Sequence, residues 1–312
     1  MQEVFHLTLN KVATLLLFIA AGFILRRSKK LPEETARVLS LLCTLIFSPA
    51  YTIVNLGQNM RMEVIGEKLQ LLGYGVLFAA AAVFFGRLLA KPFSRNPVEK
   101  SSLSYAFAIS NYGYFGYPVI EGVFGQAMLG DFMVFVIPIG ILTHSYGYML
   151  FQKDKKMTVK QMIMTPLMAS VILGVAIGLS GIQLPSVVTS VLSGAGSCMS
   201  PASMLLAGFM LGKFSLKQLF SGFRPYYLTL IRMLGIPLVF GVVLYACGIR
   251  GQYLFQPLLF ASLPLGLNLV VYPESCGYEK EAGDNAKLCF ISYLMAIAIL
   301  PCVFALLTKL CM

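Results

Sequence analysis

Charge is what this chain of 312 residues has least of. Only 12% of its residues are charged and 58% are apolar, where a soluble globular protein carries roughly 25% charge. That balance makes it an integral membrane protein. It has no Trp and only two His, so the clustered His and acidic residues that a metal centre or a membrane-embedded lipid enzyme would need are missing. Seven Cys, at 43, 198, 247, 276, 289, 302 and 311, form no C-x-x-C pair. They read as small core residues, with no disulfide framework, metal or other cofactor expected. A bilayer crossing takes about 20 residues, so ten crossings use roughly 200 to 230 of them. No room remains for an aqueous catalytic head, and the net charge of +11 is not read as that of a nucleic-acid binder.

The apolar stretches, cut at charge clusters and Gly/Pro turns, predict spans near residues 5–25, 34–56, 69–90, 102–126 and 131–151. Five more follow near 162–180, 186–212, 226–248, 253–273 and 284–309. The first is not read as a cleaved signal peptide, because basic residues follow it and none precedes it. Lys and Arg collect in the odd-numbered loops, whereas the even loops and both tails hold only Lys11, Arg61, Lys68, Arg250 and Lys309. Basic loops stay cytoplasmic, so both termini are expected outside, in a multi-pass protein of the cell (inner or plasma) membrane.

Residues 31–50, LPEETARVLSLLCTLIFSPA, and 184–202, LPSVVTSVLSGAGSCMSPA, share Leu-Pro, Val-Leu-Ser and Ser-Pro-Ala in the same order. They fall in spans two and seven, so the repeat unit has five spans and its second copy enters the bilayer inverted. The expected division is a first five-helix repeat at 1–151, a short cytoplasmic connector at 152–161 and an inverted second repeat at 162–312. Inverted repeats mark secondary transporters that rock around a midplane site. They also occur in channels, and a duplication retained only for folding is the plainer reading.

Span four contains SNYGYFGYP (Ser110 to Pro118), and its counterpart, span nine, contains SLPLGLNLVVYP (Ser262 to Pro273). Pro removes a backbone donor and Gly accepts unwound dihedrals, so both helices are expected to break. Irregular backbone at membrane depth is buried in protein or lines a cavity, and matching breaks point to a substrate site. The candidate binding residues are Asn111, Tyr112, Gly113, Gly116 and Pro118, with Pro264, Gly266 and Asn268. Either the two Asn amides meet the substrate or each caps its half-helix.

The string N-x-G-Y-F-G-x-P at Asn111 to Pro118, the Pro264-x-Gly266-x-Asn268 pattern and Ile299-Leu300-Pro301 resemble the auxin efflux carrier (AEC) family along the whole chain. The resemblance implies a fold similar to the sodium/proton antiporter and bile-acid symporter type, whose broken spans cross near the membrane centre. It also implies organic anion substrates, auxin for plant members and dicarboxylates such as malate or malonate for bacterial ones. Plant carriers have a long central loop where this chain has a short basic connector, so the layout is nearer to the bacterial malate/malonate-type permeases.

Polar residues inside the spans leave further alternatives open. Arg232 in span eight either pairs with a substrate carboxylate or snorkels to the cytoplasmic interface. Glu121 is a proton-coupling carboxylate or a solvated helix end, and His144 is a coupling group or an interior donor. The symmetric Ser-Pro pairs, Ser48-Pro49 and Ser200-Pro201, are helix kinks that also bring Ser48, Asn55 or Ser200 into reach of the crossover. No Asp is expected inside any span.

The expected fold is therefore all-α integral membrane, ten transmembrane helices in two inverted five-helix repeats with broken, crossing helices four and nine. The expected function is alternating-access transport of a small organic anion, a mono- or dicarboxylate, without enzymatic activity. Cation-coupled (sodium or proton) symport is the rival and a lipid enzyme the weaker one. The expected partners are that anion and the lipid bilayer, with no nucleic acid, and a homodimer is the assembly left open.

Overall fold

A computed structural model of the protein describes residues 1–152 and 165–311, without the side chains of His144 and Tyr148. Among the described residues every regular element is helical, as a lipid environment demands of a chain that must satisfy its own backbone. The first half comprises α1 (Gln2–Arg27), α2 (Thr35–Leu42), α3 (Ser48–Asn59), α4 (Ile65–Phe93), α5 (Pro97–Ala108), α6 (Tyr117–His144) and α7 (Tyr146–Met149). The second comprises α8 (Pro166–Ser180), α9 (Ser186–Ser197), α10 (Met199–Leu211), α11 (Leu216–Leu219), α12 (Arg224–Leu230), α13 (Ile236–Ala246), α14 (Gln252–Ser262), α15 (Asn268–Ser275) and α16 (Glu279–Cys311). Residues 153–164, which hold most of the expected connector and the start of span six, lie outside the described residues.

Seven stretches among the described residues are long and apolar enough to cross a membrane, and Pro166–Ser180 is a shorter apolar helix. One of the seven, Pro97–Thr143, has 47 residues. As a straight helix it would run about 70 Å, more than twice the roughly 30 Å hydrocarbon core. It is interrupted at residues 109–111, where the backbone is not helical, and again at Gly125, whose φ of 83° and ψ of 179° suit glycine alone. The loop expected between spans four and five, after residue 126, is thus replaced by a break at Gly125 with helix resuming at once.

Prolines explain a second feature. Three π turns, Cys43–Phe47, Tyr112–Gly116 and Ile231–Gly235, each stop two residues short of a proline: Pro49, Pro118 and Pro237. A proline ring clashes with the carbonyl four residues back, here that of Leu45, Tyr114 or Met233, and the wider π turn gives that carbonyl room. At Ser200-Pro201 the helix is instead interrupted at Cys198, between α9 and α10.

The most extensively packed helix pairs are α1 with α10, α4 with α5, and α3 with α8. A Cβ on Gly22 would lie 2.0 Å from the Leu205 carbonyl oxygen, and one on Gly208 would lie 1.8 Å from that of Ile19. Backbone therefore meets backbone, the small-residue contact by which helices associate in lipid. The same device serves α8 on α3, where a Cβ on Gly178 would lie 2.3 Å from the Met60 oxygen. The long α16 packs on α1, α12, α14 and α15, while α4 covers α5 and α6. One expectation about charge is corrected: Asp131 lies inside α6, where Lys68 neutralises it as an ion pair.

Candidate functional site

The two predicted breaks meet. α5 stops at Ala108, residues 109–111 run non-helically and a π turn starts at Tyr112. α14 stops at Ser262 and α15 starts at Asn268. The Asn111 N–H donates to the Pro264 carbonyl at 2.8 Å, so the two unwound segments are joined backbone to backbone. Their approach depends on Gly116, where a Cβ would lie 2.6 Å from Leu263 Cδ1. Gly266 is looser, with a Cβ there 3.7 Å from Asn111 Cα, and one on Gly113 would meet nothing within 4 Å.

Neither Asn caps its half-helix. Asn111 occupies the N-cap position but its amide donates to the Tyr293 hydroxyl at 3.1 Å, and the cap position of α15 is Leu267. The Asn268 side chain faces the Tyr105 hydroxyl. Tyr112 buries its ring against Tyr117 and Phe260 and so fills the core beside the break.

α16 holds the unwound backbone in place. The Ser292 hydroxyl accepts from the Leu265 N–H at 3.1 Å, and the Asn285 amide donates to the Leu269 carbonyl at 2.8 Å and to the Ser102 hydroxyl at 2.9 Å. The Cys289 thiol points to the Gly266 carbonyl at 3.5 Å. With Tyr293, these residues fall at the i, i+4, i+7, i+8 spacing of one helix face. Sequence reasoning passed over them, although a polar stripe along an otherwise apolar span was a readable signal.

A cavity of about 570 Å³ lies among α1, α3, α6, α9 and α10, and of the broken helices only the stretch from Pro118 to Gln126 lines it. α1 contributes Lys11 and Thr14, α3 contributes Tyr51, Asn55 and Gln58, α6 contributes Pro118 and Glu121, and α9 and α10 contribute Ser193, Ser197 and Ser200. Four predicted residues thus share one wall system: Asn55, Ser200, Pro118 and Glu121. Glu121 accepts from the Tyr51 hydroxyl at 2.6 Å and from the Gln126 amide. Asn55 is buried, and its side-chain oxygen has no hydrogen-bond partner. Ser48 starts α3 but is not among the residues lining the cavity. Lys11 and Tyr51 were missed, Lys11 because it was counted with a tail when it sits well inside α1.

Arg232 departs from the snorkelling reading given to it and lines a separate, largely apolar cavity between α4, α5, α13 and α14. It is 1% exposed and so does not snorkel, and it is not among the residues lining the Glu121 cavity. Its Nε donates to the Ala106 carbonyl at 2.7 Å and its Nη1 to the Ala261 carbonyl. Those carbonyls belong to the last turns of α5 and α14. His144 closes α6, and its side chain lies outside the described set.

A family model described as a membrane transport protein matches residues 7–161 and 153–304. No curated protein matches the chain.

Proposed function

The chain belongs to the membrane transport protein family, the auxin efflux carrier family that its motifs resemble, and from that premise we propose that it carries a small mono- or dicarboxylate across the cell membrane by alternating access. The observation that carries the reading is the Asn111–Pro264 joint between two broken helices, the first of which continues through Pro118 and Glu121 into the wall of a cavity with many polar side chains. The half-helix N-termini at Tyr112 and Asn268 have no capping side chain and carry partial positive charge, which suits a carboxylate, although at α15 the Leu269 and Val270 N–H groups already donate to the Gly266 and Leu267 carbonyls. In this reading Asn111 and Asn268 supply amides, Gly113 leaves room, and Gly116, Pro118, Pro264 and Gly266 shape the unwound backbone. Asn55 and Ser200 line the approach and Tyr112 packs behind it.

The architecture we propose is ten crossings in two inverted five-helix repeats, 1–151 and 162–312, joined by a cytoplasmic connector at 152–161, with both termini outside. The reciprocal packing supports it: α1 of the first half lies on α10 of the second, and α8 of the second lies on α3 of the first. A two-fold axis in the membrane plane generates such a pair of contacts. The cavity lies toward the even loops, which this topology puts outside. On the opposite side Lys213, after α10, pairs with Glu274 in α15.

Coupled symport with sodium or protons has one observation in its favour. Glu121 places a carboxylate in the same cavity as Lys11, held by Tyr51 and Gln126. A thermal-shift screen of the purified protein against mono- and dicarboxylates and their uncharged amides tests the main reading. A ligand bound only by the folded state raises the melting temperature, so stabilisation by at least one carboxylate and not by its amide is the expected result. Absence of any such ligand would overturn the substrate class.

A further inference from the structure

We infer that Arg232, which does not line the Glu121 cavity, sets the charge of the cargo: it cancels the negative ends of the crossing half-helices and leaves their positive ends uncompensated. The inference rests on the proposed carboxylate site and assigns its selectivity. Four helix ends converge where the broken helices cross. The C-termini of α5 and α14 carry partial negative charge on their last carbonyls, and the N-termini at Tyr112 and Asn268 carry partial positive charge. Left alone, the two kinds of end would offset each other and favour neither sign of ligand.

The side chains are distributed unevenly over these ends. One guanidinium spans both C-termini, with Nε on Ala106 and Nη1 on Ala261. Neither N-terminus receives a capping side chain. The guanidinium is fully buried, its Nη2 has no partner, and no acidic side chain forms an ion pair with it among the described residues. Arginine does not lose its proton in proteins, so one whole positive charge stays beside the crossover. The sum of the five contributions is positive. Geometry adds to the argument: the planar fork reaches two carbonyls at once, which a single ammonium does poorly.

Arg232 is on this view a positioning residue that acts through Ala106 and Ala261. Its test compares the wild type with Arg232→Gln and Arg232→Lys, using malonate, succinate and benzoate against malonamide, succinamide and benzamide. Affinity is read by thermal shift and calorimetry on purified protein, and the readout is the ratio of carboxylate to amide affinity. Arg232→Gln should lower that ratio on the order of ten-fold, the size expected of one charge a few residues away in a medium of intermediate polarity, while amide binding holds. Arg232→Lys should keep the ratio even where transport slows.

A folded Arg232→Gln variant with an unchanged ratio overturns the inference and leaves the carboxylate reading standing. Should that variant not fold, Arg232→Lys decides alone when followed down to about pH 5, because a buried lysine without an acidic partner can lose its proton near neutrality: a ratio that returns as the pH falls upholds the electrostatic role, and a ratio lost at every pH overturns it. A wild type that prefers the amides, or binds no carboxylate, overturns the carboxylate reading and this inference with it.

Discussion

Gly116 is the residue at which the crossing is tightest. Its missing Cβ would stand 2.6 Å from Leu263 Cδ1, and Leu263 is itself fully buried. Gly116→Ala should destabilise the protein by about 1–3 kcal/mol, the usual range for overpacking. In the double variant with Leu263→Ala the two losses should fall short of their sum, because the clash disappears with the leucine. Thermal unfolding of the four proteins checks this, and strict additivity would show that the two segments do not press on each other. The two Asn residues carry a different expectation. Asn111→Ala and Asn268→Ala should each weaken substrate binding by roughly 1–3 kcal/mol while the protein stays inserted. Tyr293→Phe is the control for Asn111, since it removes the hydroxyl that receives the amide and spares the amide itself. Normal affinity in both alanine variants would leave the amides a purely structural task.

At the scale of elements, the strut α16 makes the sharpest claim. Asn285→Leu removes both donors from the Leu269 carbonyl and the Ser102 hydroxyl, and an orphaned buried carbonyl costs about 1–3 kcal/mol. Backbone amides at the start of α15 should then exchange with deuterium faster, while those of α1 and α10 hold. Unchanged protection in α15 would mean that its own turns, not α16, keep it in place. The breaks that α16 supports were legible in the sequence because Pro and Gly act locally. Pro118, Gly116, Pro264 and Gly266 disturb a helix whatever surrounds them. The seven long apolar stretches among the described residues were equally legible from composition. What no local rule supplied was who faces whom. Arg232 reaches carbonyls 126 and 29 residues away, so its role depends on where α12 packs. The cavity draws on α1, α3, α6, α9 and α10 together, and Lys11 joins it only because α1 lies against α6 and α10. The π turns were out of reach for another reason: proline predicts a disturbance, and the surrounding packing chooses between a kink, a π turn and a full break.

The whole molecule raises the question of driving force. Most acidic side chains of its helices lie near helix ends, and of those further in, Asp131 is neutralised by Lys68 and Glu121 is held by Tyr51 and Gln126 at the cavity wall. A carboxylate carried alone through an inside-negative membrane gains about 2.3 kcal/mol per unit charge per 100 mV on leaving the cell, so an uncoupled carrier of this kind favours efflux. Uptake would require a co-transported cation or exchange for another anion, with Glu121 and His144 the groups to substitute first. In proteoliposomes loaded with a carboxylate that the thermal-shift screen has identified, an imposed inside-negative potential should accelerate exit without a sodium or pH gradient. For a monovalent anion, the steady-state ratio of outside to inside concentration should then rise roughly fifty-fold per 100 mV, the same energy expressed as a ratio. Exit that ignores the potential and follows an imposed proton or sodium gradient would replace uniport with coupled symport. Loss of that gradient dependence in Glu121→Gln would then place the coupling site in the cavity that Glu121 shares with Asn55 and Ser200.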